Sequence, residues 1–168
     1  LSLNVFNKHC DRVKMANIAQ LINVLQAVIL TDGPRMLRTP TYHVFHMYKY
    51  HQDAELVESY LDGAKKIGEE AEYMVPNLQE SVSVDKDGIV TVTLNNLSTT
   101  DSEEMEIVFA ERQPSSVTAA ILTNKMDAYN TFDNPDTVKE SVFEDFTITD
   151  RGVTFTMPAC SVVQFRIQ

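Results

Sequence analysis

The sequence predicts a mainly β protein, an antiparallel, jelly-roll-like β-sandwich preceded by a short helical and α/β piece. Three observations carry that expectation. Short runs of alternating apolar and polar residues recur through the second two thirds of the chain, each bounded by Gly, Pro, Asn or Asp. The first 52 residues lack that alternation and contain stretches with helical spacing. Charge divides at the same place: residues 1–52 carry six basic and two acidic groups, a net +4, whereas 53–168 carry eight basic and 22 acidic groups, a net −14. Two structural units are therefore expected, 1–52 and 53–168.

The elements follow in order. Leu1, Leu3, Val5 and Phe6 suit the tail of a helix ending before Asp11, and Val13 to Ile18 suit a short strand. From Ile18, the residues Leu21, Ile22, Leu25, Val28 and Ile29 fit the helical spacing better than any strand template, so a helix is expected there. Thr31-Asp32-Gly33-Pro34 breaks the chain; Thr39 as cap and Pro40 in the first turn then open a helix with Val44, Phe45, Met47 and Tyr48 as its apolar face. Around Asp85-Lys86-Asp87-Gly88, Val82 and Val84 pair with Val90, Val92 and Leu94 in a hairpin whose Ser and Thr residues mark a solvent face. Met105, Ile107 and Phe109 repeat the period. Strands follow at Val117 to Leu122, Phe146 to Thr149, Val153 to Met157 and Val162 to Ile167, and 127–139 reads as a long loop.

Composition narrows the function classes. A net charge of −10 with no cluster of Lys and Arg argues against a nucleic-acid partner. No run of about 18 apolar residues encodes a membrane helix. Opening on Leu1 without a methionine reads as an internal cut, so a leader would precede it and the compartment, cytoplasmic or secreted, stays open. Cys10 and Cys160, one in each unit, read as buried thiols, and a bridge would need their Cα atoms within about 7 Å. His43 and His46, three apart on a helix, and nearby His51 invite a metal reading; with no carboxylate or Cys at a matching turn, neither a metal nor another cofactor is expected. Glu103 and Glu104, neighbours on a strand, face opposite ways and cannot act together as an acid/base pair. Asn96-Leu97-Ser98 matches a glycosylation sequon.

Four separated motifs resemble one family. The run Asn4-Val5-Phe6-Asn7-Lys8-His9 continued by Asp11 to Val24, the run Thr39-Pro40-Thr41-Tyr42-His43-Val44-Phe45, the loop Asn130 to Val138 and the closing Met157-Pro158-Ala159-Cys160-Ser161-Val162-Val163 are similar in register to the α-L-arabinofuranosidases of glycoside hydrolase family 51. The resemblance implies a (β/α)8 barrel joined to a C-terminal β-sandwich, with 1–52 a remnant of the last barrel repeat and 53–168 the sandwich. It implies a retaining mechanism with two glutamates, one in a Glu-Trp pair. With no tryptophan in the chain, both glutamates are expected upstream of Leu1, and the chain alone is expected to be inactive. The glutamine of the Ala-Gln-Leu motif, here Gln20, would hydrogen-bond the arabinofuranose at the end of the eighth strand, with Asn23 as a weaker candidate.

Two functions follow as expectations. The first is a structural part of an enzyme that releases terminal arabinofuranosyl residues from arabinose-containing oligosaccharides or polysaccharides. The second is a carbohydrate-binding sandwich, for which Tyr129, Phe132 and Phe143 would be the aromatic platforms. Val13, Met15, Ile18, Leu21 and Leu25 need cover, either from a fold-back onto the sandwich or from a second copy; a homo-oligomer is the expectation.

Overall fold

Helix α1 (Ser2–Lys8) opens a computed structural model that describes residues 1–69, 72–110 and 113–168. Strands β1 (Ile29–Asp32) and β2 (Arg35–Arg38) form a hairpin, followed by α2 (Pro40–Tyr48) and a single 3-10 turn, Lys49–His51. The rest is β: β3 (Glu55–Leu56), β4 (Lys66–Glu69), β5 (Tyr73–Pro76), β6 (Leu78–Val84), β7 (Val90–Asn96), β8 (Glu103–Val108), β9 (Val117–Thr123), β10 (Ser141–Val142), β11 (Phe146–Thr149), β12 (Gly152–Met157) and β13 (Ser161–Ile167). A six-stranded antiparallel sheet in the order β10-β9-β13-β7-β6-β3 faces a three-stranded sheet, β11-β12-β8. The hairpin of β6 and β7 turns at Asp85 to Gly88, with Val82 opposite Val92 and Val84 opposite Val90.

Between the two sheets lies an apolar core. Leu78, Val82, Val90, Val92, Leu94, Ile121, Val163, Phe165 and Ile167 come from the larger sheet, and Val153, Phe155 and Met157 from the smaller. Phe165 is fully buried, with ring centroids of Phe155, Phe146 and Phe143 at 4.8, 5.6 and 6.1 Å. Tilted and edge-to-face rings of this kind pack more favourably than their buried area alone provides. Beside β12, a Cβ on Gly152 would stand 1.7 Å from the carbonyl oxygen of Ile107, so only glycine lets β12 and β8 close up there.

The larger sheet is buried on its other face too, which corrects the expectation of a solvated one. Every residue of β7 is buried, and Gln79, Ser81, Ser83, Thr91, Thr93 and Asn95 alternate with the core residues. Helix α1 and the 3-10 turn lie over β6 and β7, while α2 packs over β9 and β13 with Met47, Tyr48 and Val44 against Leu122, Val138 and Val162. Part of 1–52 thus folds back onto the sandwich, as a cover on a polar face.

The first segment departs from expectation in three places. Residues 13–20 form no strand, and 18–29 form no helix; Leu21 and Leu25 are 57% and 87% exposed while Val28 is buried, so the apolar residues do not share one covered face. Local bonds replace the helical ones. The Leu21 carbonyl accepts from the amides of Val28 and Ile29, and the Asn23 side chain, on a residue at φ 56°, binds Thr31. The breaker at Asp32-Gly33 is instead the turn of the β1–β2 hairpin. Helix α2 begins where expected, with Thr39 at its N-cap and Pro40 in its first turn; the Thr39 hydroxyl makes no bond to the helix amides and instead donates to the carbonyls of Ala27 and Val28 at 2.7 and 3.1 Å.

Candidate functional site

Gln20 stands on the irregular segment between α1 and the β1–β2 hairpin, exposed to solvent. Its amide is therefore open to a ligand, with a donor and an acceptor both suited to hydroxyls. Asn23, three residues on, is exposed but engaged: its Nδ2 donates to the Thr31 hydroxyl at 2.8 Å, and its Oδ1 accepts from the Thr31 amide at 2.7 Å. That double bond pins the loop after Gln20 to the start of the hairpin. The two residues share one stretch of chain, with Gln20 presented and Asn23 shaping the loop behind it.

The sandwich reaches the same hairpin through the loop 127–139. Asn130 is buried; its Nδ2 donates to the carbonyls of Arg38 and Val138, and its Oδ1 accepts from the Val138 amide at 2.7 Å. Arg35, at the hairpin turn, forms an ion pair with Asp32 and lies 4.9 Å above the Phe132 ring. This buried asparagine is thus one of the ties between the two predicted units, a role not visible in a loop that reads only as Asn and Pro.

The three candidate platforms differ. Phe143 is a core residue, one face of Phe132 is occupied by Arg35, and Tyr129 alone is widely exposed, at 69%.

The histidines diverge. His46 Nδ1 lies 2.7 Å from Glu140 Oε2, and Lys49 Nζ is 2.8 Å from its Nε2. Glu140 supplies the carboxylate that helical spacing did not, arriving from 94 positions away and also 3.8 Å from His43 Nδ1. Burial holds His43 below the ordinary imidazole range, against the opposing pull of Glu140. His51 points elsewhere, to the hydroxyls of Ser83 and Thr93 on the larger sheet. Among the described residues no group of three or more His, Cys, Asp or Glu is placed to hold a metal ion.

Other sequence candidates resolve structurally. Glu103 accepts from Lys65 and Asn77, and Glu104 from Thr156, so the adjacent carboxylates have separate partners. Asn96 is buried with its Nδ2 donating to the carbonyls of Asp101 and Pro158, which leaves the sequon no accessible amide. Cys10 is exposed rather than buried, Cys160 is half-buried, and both thiols are free. Among the described residues no helix is long and apolar enough to cross a membrane. A cavity of about 630 Å³ opens between the helices and the larger sheet, lined by Leu3, Phe6, Ile18, Val44, Leu122 and Met126 among others.

The model of the alpha-L-arabinofuranosidase C-terminal domain matches residues 1–161. An intracellular exo-alpha-L-arabinofuranosidase of Bacteroides ovatus is 38% identical over 169 residues, spanning 100% of this chain and 33% of that protein. The crystal structure of the family 51 arabinofuranosidase from Xanthomonas axonopodis pv. citri superposes with a TM-score of 0.92 at 36% identity, covering 99% of this chain and 34% of that one. A family 51 alpha-L-arabinofuranosidase from Bifidobacterium longum shares the fold, with a TM-score of 0.86 at 22% identity, over 99% of this chain and 33% of its own. The chain spans about a third of the length of these relatives. Sandwich, helical cover and hairpin are therefore held in common with a known architecture, and the chain belongs to the C-terminal domain family of the alpha-L-arabinofuranosidases of glycoside hydrolase family 51.

Proposed function

We propose that this chain serves as the C-terminal part of an enzyme that hydrolyses terminal non-reducing α-L-arabinofuranosyl residues from arabinose-containing oligosaccharides or polysaccharides, with retention. The observation that carries the reading is the match over 99% of the chain to a family 51 arabinofuranosidase at 36% identity and a TM-score of 0.92. In this reading 1–52 belong to the last repeat of the catalytic barrel and 53–168 are the sandwich that buttresses it. The exposed apolar residues Met15, Leu21, Leu25 and Met36 are the side that barrel or subunit contacts cover.

The chemistry assigned to this chain is binding. Gln20 offers its amide to the hydroxyls of the arabinofuranose, and Asn23 and Thr31 hold the loop that follows it. Neither the acid/base nor the nucleophile is assigned to residues 1–168. The 168-residue chain is thus expected to leave an aryl α-L-arabinofuranoside at the buffer rate, since each missing carboxyl function supplies orders of magnitude. Turnover that survives repurification would overturn the assignment. In an enzyme containing this chain, Gln20→Ala is expected to lower kcat/KM about ten- to a hundredfold, the worth of one or two hydrogen bonds that strengthen in the transition state. An unchanged kcat/KM would make Gln20 structural.

A further inference from the structure

The seam between α1 and the sandwich combines features that are costly together. Asn4 is fully buried at its centre: its Nδ2 donates to the Gln79 carbonyl and to Asn95 Oδ1, and its Oδ1 accepts from Tyr48, Ser81 and Thr93 hydroxyls at 2.7, 2.9 and 3.2 Å. Thr93 is shared with His51, whose Nε2 lies 2.8 Å from the Thr93 hydroxyl and whose Nδ1 lies 2.7 Å from the Ser83 hydroxyl. On the same face Gln79 Oε1, Thr91 Oγ1 and Asn95 Nδ2 are buried with no hydrogen-bond partner among the described residues.

We propose that α1 is a proton-operated latch: protonation of His51 releases α1 from the polar face of the six-stranded sheet while the sandwich core stays folded. The hydroxyl directions set the neutral ring. With Thr93 donating into the Asn4 and Ser81 cluster, it accepts from His51 Nε2–H, and His51 Nδ1 accepts from Ser83. A second proton, on Nδ1, turns the Ser83 hydroxyl away and places a charge where both ring nitrogens face hydroxyls rather than a carboxylate.

The groups around the ring offer it little compensation. From α2, Tyr48 faces it as a phenol pushed up to about 12 by burial. From α1 and β6, Lys8 and Glu80 are paired with each other, and β7 brings Thr91, Thr93 and Asn95. Lys49 on the same turn is directed to His46 and the Tyr50 ring.

Helix α1 is the element that yields. Tyr48 and Met47 anchor α2 through buried apolar packing, whereas α1 contributes Leu3 to that cluster and leaves Val5 and Phe6 37% and 39% exposed. Opening it releases Thr93, which Asn4 shares with His51, and hydrates the polar face that carries Gln79, Thr91 and Asn95.

The direction with pH follows from burial, which depresses the docked His51 pKa from 6.5 to about 4. The undocked state binds the proton first. Docking is therefore most favoured above about pH 6.5 and weakens as the pH falls toward 4, by no more than the about 300-fold that a full return of the ring to 6.5 on opening gives.

The test is residue-resolved hydrogen exchange by NMR on the 168-residue chain between pH 7.5 and 4. The Val5 amide and the Asn4 side-chain amide should lose protection as the pH falls below 6.5, by up to about tenfold per unit beyond the intrinsic change, while Val163 and Phe165 amides stay protected. The His51 ring should titrate in step with that loss. His51→Gln should abolish the slope; Glu80→Gln, which removes the partner of Lys8, His9→Asn, at the C-terminal end of α1, and acetylation of the Leu1 amino group, which burial holds below its ordinary range, should preserve it. Protection of α1 that is flat with pH, that disappears together with β13, or that keeps its slope in His51→Gln would overturn the latch. Should His51→Gln fail to fold, an α1 opening whose midpoint is separate from the His51 titration overturns it equally.

Discussion

Phe165→Ala is expected to destabilise the chain by about 3 to 5 kcal/mol, at the upper end of that range for a large-to-small core change. The reason lies in what surrounds the ring. Phe165 is fully buried on the central strand β13, between β7 and β9, and its ring meets Phe143, Phe146 and Phe155 from the loop after β10, from β11 and from β12. Removing it opens a void at the junction of the two sheets, where both have paired backbones that resist collapse. Phe165→Leu, which keeps most of the volume, should cost about 1 to 2 kcal/mol. Urea unfolding followed by tyrosine fluorescence measures both, with the midpoint falling and the slope unchanged. A loss under 1 kcal/mol for Phe165→Ala would mean that the two sheets do not share one core.

The sandwich was legible in the sequence because its strands alternate Val, Leu, Ile and Phe with Ser and Thr around tight turns, and that period survives in β6, β7, β9, β12 and β13. Ser81, Ser83, Thr91 and Thr93 look like a solvent face by the same rule. Ser81, Ser83 and Thr93 are bonded there by α1 and the 3-10 turn, which come from 30 to 90 positions away, and Thr91 is buried beside them; periodicity carries no information about such partners. The misread helix at 18–29 has the opposite cause. Leu21 and Leu25 imitate an amphipathic stripe, yet both are exposed, and Asn23 with the Leu21 carbonyl closes the loop locally. Gln20 was legible only through resemblance, since an exposed glutamine in an irregular segment has no signature of its own. Asn4 sat inside a resembling motif without a role, which only the convergence of β6, β7 and α2 on one amide reveals.

Asn4→Ala should act on the cover rather than on the core. The substitution strips acceptors from Tyr48, Ser81 and Thr93 and a donor from Asn95 Oδ1 and the Gln79 carbonyl, all in a seam that excludes water. Buried groups left unpaired cost about 1 to 3 kcal/mol each, and partial rearrangement limits the sum, so docking of α1 should weaken by about 3 to 5 kcal/mol. Because α1 has little apolar hold, that loss appears as release of the helix at neutral pH. Amide protection of α1 should vanish while the urea midpoint of the sandwich moves much less than in Phe165→Ala. The phenol of Tyr48, held near 12 by burial in the intact seam, should ionise closer to the ordinary 10, which alkaline difference absorbance at the tyrosinate band reads directly. The core mutation predicts the reverse pattern, with α1 and β13 losing protection together and Tyr48 unchanged in the folded fraction. If Asn4→Ala instead lowers the urea midpoint as far as Phe165→Ala does, cover and sandwich unfold as one cooperative unit, and the polar seam is a core in its own right.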